Sequence, residues 1–86
     1  MPYIKQGRRD ELNGLVEQMG TALCFDGDLN FLLFALCRRH VKPSYGNYKK
    51  FIGELNECIA EIRRRILAPY EDEKIIQNGD ITRKEL

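Results

Sequence analysis

From Asp28 to Arg39 the chain reads DLNFLLFALCRR, and between Leu29 and Cys37 only Asn30 is polar. A run of this kind is predicted to be a helix from about Leu29 to His40. At roughly 100° per residue, Leu29, Leu33, Leu36, Cys37 and His40 share one face. Phe31, Ala35 and Arg38 lie opposite them, with Phe34 alongside. A helix in a two-layer domain needs a single apolar stripe; two stripes require cover on both sides. The first set is assigned to the core of the chain itself. Phe31, Phe34, Ala35 and Arg38 are assigned to an interface with a second subunit, a homodimer being the natural form.

Size sharpens that expectation. Eighty-six residues make one domain, 1–86, and a chain this short buries only about 60–65% of the surface that its unfolded form exposes. Small domains of this kind gain stability from disulfides, metals or further copies of themselves. Three cysteines, Cys24, Cys37 and Cys58, form no CxxC spacing, and thiols at apolar positions point to a reducing compartment. With His40 the lone histidine, no zinc site is expected, and no cofactor is implied. The opening MPYIKQGRRDEL has no apolar h-region, so no secretory signal is expected. The longest apolar run, Phe31 to Cys37, is far shorter than the roughly 20 residues of a membrane span. The expected location is cytoplasmic, with no membrane partner.

Net charge is +1, with +3 on residues 1–68 and −2 on residues 69–86. That balance lacks the dense basic footprint of a nucleic-acid binder, so nucleic acid is not an expected partner; binding through the third helix is the weakest of three readings.

Around the central run the chain reads as all-α, a small helical bundle of three main helices plus a short C-terminal helix. Residues 1–8 are expected as an extended arm with Tyr3 and Ile4 tucked against the body. From about Arg9, Leu12, Leu15, Val16, Met19 and Leu23 follow a helical period. Asp28 is expected to cap the second helix. Asp26, Asp28 and Asn30 also sit at the 1, 3 and 5 spacing of a calcium loop, but Phe31 and Cys37 stand where glycine and glutamate are needed. Pro43 and Gly46 make a turn, and Ser44 or Asn47 caps a third helix. Its stripe is Tyr48, Phe51, Ile52, Leu55, Ile59, Ile62 and Ile66, the clearest period in the chain. Arg63, Arg64 and Arg65 fan about that helix and do not converge on one anion. Ala68-Pro69-Tyr70 is expected as a break or kink, with a short last helix starting at Pro69 and stopped at Asn78-Gly79, before a loose tail over 80–86.

Catalytic chemistry has little support in these residues. Cys37 and His40 could meet at i, i+3, but on a face assigned to packing, where burial keeps a thiol protonated and inert. No phosphate-binding glycine loop and no metalloprotease motif occurs. No catalytic residue is assigned, and the protein is not expected to be an enzyme. Tyr45, Tyr48 and Tyr70, near arginines such as Arg38, give an alternative reading: a pocket that stacks a small anionic, nucleotide-like ligand at a subunit interface.

The opening MPYI followed by an Arg-Asp pair, the GDLN before helix two and the closing APYEDEKIIQNGDI resemble a family of short uncharacterised bacterial and bacteriophage proteins. The resemblance spans most of the chain, and PYEDEKI…NGD is its most distinctive segment. It implies a genuine compact unit, with no assigned activity and no catalytic residue to carry over. The leading reading is a small self-associating interaction module.

Overall fold

The computed structural model describes residues 4–85, and among them the chain is all-α, without a strand. Helix α1 spans Gln6–Ala22, α2 Asp28–His40 and α3 Tyr45–Ile62. A π-helical turn, Arg63–Leu67, then leads into α4, Ala68–Asn78, and a short 3-10 turn closes the chain at Arg83–Glu85. The chain divides into two units, Met1–Ile52 and Gly53–Leu86.

In the first unit, helix begins earlier than the sequence suggests. Gln6, Gly7 and Arg8 are helical rather than part of an arm. Local pairs hold this first turn: Gln6 Nε2 donates to Asp10 Oδ1 at 2.8 Å, and Arg8 bridges Glu11 at 2.9 Å. The Lys5 carbonyl accepts from the Arg8 and Arg9 amides. The tucked Tyr3 lies outside the described residues.

Between α1 and α2 the backbone turns at Phe25–Gly27, with Gly27 at φ +112°, a conformation that a side chain disfavours. Asp28 is not the cap expected of it. It is the first residue of α2, and its Oδ2 accepts the Cys24 amide at 2.8 Å, closing the turn backwards. Its charge still sits favourably at the positive end of the helix dipole, as Arg38, Arg39 and His40 do at the other end. Ser44 does cap α3: its hydroxyl accepts the Asn47 amide at 3.0 Å, and Asn47 Nδ2 donates to the Lys42 carbonyl.

Burial in this unit is partial. Among the described residues Ala35, expected on the partner side, is the one buried hydrophobic residue, at 9% exposure. Leu32, Leu33 and Cys37 are half-buried, while Leu29, Leu36 and His40 are open. Leu33, Leu36 and His40 of the expected core face line an apolar groove, together with Leu32 and Ala35 of α2 and Leu15 and Met19 of α1.

The second unit is simpler. Its backbone continues the helix of α3 through the π turn into α4, so that Tyr45 to Asn78 is one 34-residue helical run. The expected break at Pro69 is absent, although a helix element does start where expected, with proline in its first turn. Proline in an α-helix loses an amide and its ring collides with the carbonyl four residues back. The π turn relieves this, with the Ala68 amide reaching the Arg63 carbonyl five residues back. Gly79, at φ +82°, ends α4, its amide bonded to the Ile75 carbonyl at 2.8 Å.

Candidate interaction surface

The first unit presents two apolar surfaces. One is the α1–α2 groove of about 570 Å³, lined by Leu15 and Met19 from α1, by Leu23 just after it, and by Leu32, Ala35 and Leu36 from α2. Arg39 and His40 stand at its edge. The other is the outer face of α2, where Phe31 and Phe34 are 66% and 69% exposed. Phe31 borders the groove as well, so the two surfaces are continuous. A phenyl ring left in water forfeits about 1.5–3 kcal/mol that burial would supply.

Of the residues singled out from sequence, Phe31, Phe34 and Arg38 are exposed on α2, whereas Ala35 is buried. The groove residues Met19 and Leu32 were not singled out as site residues.

Of the residues assigned to a ligand site, Tyr45 and Tyr48 lie in the first turn of α3, Arg38 near the end of α2, and Tyr70 in the second unit. The cation over the Tyr45 ring is Lys49, at 5.0 Å, and over Tyr70 it is Lys74, at 5.6 Å. Each is a neighbour four residues along the same helix.

Cys24, Cys37 and Cys58 are free thiols, Cys24 exposed and the others half-buried. Among the described residues, no group of three His, Cys, Asp or Glu side chains is placed to hold a metal ion. No described helix is long and apolar enough to cross a membrane.

Two of the three arginines of the π turn, Arg64 and Arg65, bond locally. Arg64 donates to both oxygens of Glu61, at 2.8 and 3.0 Å, and Arg65 lies 3.7 Å from the same carboxylate. The hydrogen bond from Arg64 is the largest influence on Glu61; burial opposes it, and the positive charges of Arg64 and Arg65 reinforce it. The net result holds the Glu61 carboxyl below the usual carboxylate range.

A family model described as a domain of unknown function (DUF6899) matches residues 1–81. No curated protein and no solved structure matches the chain.

Proposed function

The chain belongs to that family, and from this premise we propose that it is a small, non-enzymatic interaction module of the cytoplasm that works by self-association. Its partner is a second copy, met by the outer face of α2 through Phe31 and Phe34, with Arg38 at the rim. The observation that carries this reading is the exposure of both phenyl rings beside an open apolar groove. Contiguous apolar surface of this kind marks an interaction site on folded proteins. Aromatic residues flanked by arginine are the types enriched where binding energy concentrates.

Sedimentation of the full chain at micromolar concentration tests it. The expected species has a mass of about 20 kDa, twice the 10.0 kDa chain, or a higher multiple. Phe31→Glu is expected to raise the dissociation constant of the assembly at least about thirtyfold, the change a buried anchor residue carries, while Phe31→Leu leaves it within a few-fold. A monomeric wild type, or a Phe31→Glu chain that assembles as the wild type does, refutes the reading.

A further inference from the structure

The Asn78-Gly79 pair does more than stop α4. Of the five asparagines in the chain, Asn13 and Asn78 precede glycine, the neighbour that least hinders attack by its own backbone nitrogen on the asparagine side chain. That attack needs the nitrogen to swing over the asparagine Cγ, which helical backbone, at a ψ of about −42°, does not permit. The two pairs differ in what holds the nitrogen. Asn13 and Gly14 lie inside α1, with seven helical residues before them and eight after, so ring closure there requires the helix interior to open. Asn78 is the last residue of α4, and Gly79 has left the helix at φ +82° and ψ 150°. Residues 79–82 are neither helix nor strand, and the Ile81 amide turns onto Asp80 Oδ1 at 2.8 Å. The bond that holds the Gly79 nitrogen runs to the Ile75 carbonyl at 2.8 Å. It belongs to the end of a helix, where bonds fray at little cost.

We propose that Asn78 is a site of spontaneous, age-dependent modification that releases the end of α4. When the bond to Ile75 opens, the Gly79 nitrogen gives its proton to solvent base and attacks Asn78 Cγ. A C–N bond forms as the Cγ–Nδ2 bond breaks, and the side-chain nitrogen leaves, protonated, as ammonia. The five-membered succinimide then takes up one water. Opening between the Asn78 carbonyl carbon and the Gly79 nitrogen gives an isoaspartyl link; opening between Cγ and that nitrogen gives aspartate. The balance is one water in and one ammonia out, with no change of oxidation state. Either product puts a carboxylate at the negative end of the helix dipole, where a neutral amide stood. The isoaspartyl link also lengthens the backbone by one methylene, so the Gly79 amide loses its register with the Ile75 carbonyl. The last turn of α4 is then left without its closing bond. Each step uses the backbone of one helix end, and none depends on the self-association proposed above.

Incubation of the full chain at neutral and mildly alkaline pH, followed by peptide mapping in the mass spectrometer, tests the site. The fragment carrying residue 78 is expected to change mass by one water gained and one ammonia lost, at least about tenfold faster than the fragment carrying Asn13. The rate should rise with pH, and isoaspartate should be the larger product. Asn78→Gln, whose longer side chain must close a six-membered ring, is expected to remove the change at that position and to keep the helix. Hydrogen exchange at the Gln77 and Gly79 amides should be faster in aged wild type than in aged Asn78→Gln. A residue-78 fragment that keeps its mass, or changes no faster than that of Asn13, overturns the site. A change that persists in Asn78→Gln overturns the ring closure, and equal exchange in the two aged proteins overturns the release of the helix end.

Discussion

Glu61 joins the chemistry of single residues to the stability of the second unit. Its carboxylate accepts two hydrogen bonds from Arg64 and neighbours Arg65, so the charged form is favoured in the folded helix. A carboxyl whose folded pKa lies below its unfolded value stabilises the fold above the unfolded value, and that contribution is lost as pH falls through the folded one. The unfolded value is about 4.3, so the loss begins near there and is complete only below the depressed folded value. Helicity followed by circular dichroism from pH 7 to pH 2 should therefore show an acid-sensitive component that Glu61→Gln removes. A ¹³C titration of the Glu61 carboxyl should place its midpoint below that of the other exposed glutamates. Raising salt should shrink the difference between wild type and variant, since the arginines are open to solvent. Identical acid limbs in the two proteins would mean that the pairing contributes nothing to the helix.

At the scale of elements, Pro69 is the residue that shapes the long helix. Without the π turn, its ring would press on the Arg65 carbonyl. Pro69→Ala restores an amide and removes that collision, so the turn should relax to ordinary α-helical bonding. The expected gain is about 1–3 kcal/mol in unfolding free energy, with slower hydrogen exchange of the amides around Arg65 to Tyr70. A loss of stability on this substitution would show that the π turn exists for packing and not for the proline. The stripe of α3, its Ser44 cap and the turn at Pro43 before it were all legible in the sequence, because helical period and capping are local. The continuity through Pro69 was not legible: proline is read as a break, and only the backbone shows that widening one turn avoids it. The burial of Ala35 was not legible for another reason: it depends on what lies beside α2 and not on the spacing along it. The exposed Phe31 and Phe34 were legible because they were surplus to any single stripe.

For the whole molecule, the self-association proposed for the outer face of α2 has a consequence for folding. A pair of chains has a mass of about 20 kDa, and binding between folded copies draws the folding equilibrium with it. Thermal stability must then depend on protein concentration. For a dimer of 172 residues, with about 2.1 cal/mol/K of unfolding entropy per residue, each tenfold rise in concentration should raise Tm by about 4 °C. Calorimetry at about 5 µM and about 500 µM should therefore differ by about 8 °C, and Phe31→Glu should flatten that dependence. A Tm that stays constant within a degree across this range would mean that no copy covers the α2 face, and the self-association proposed there would fall.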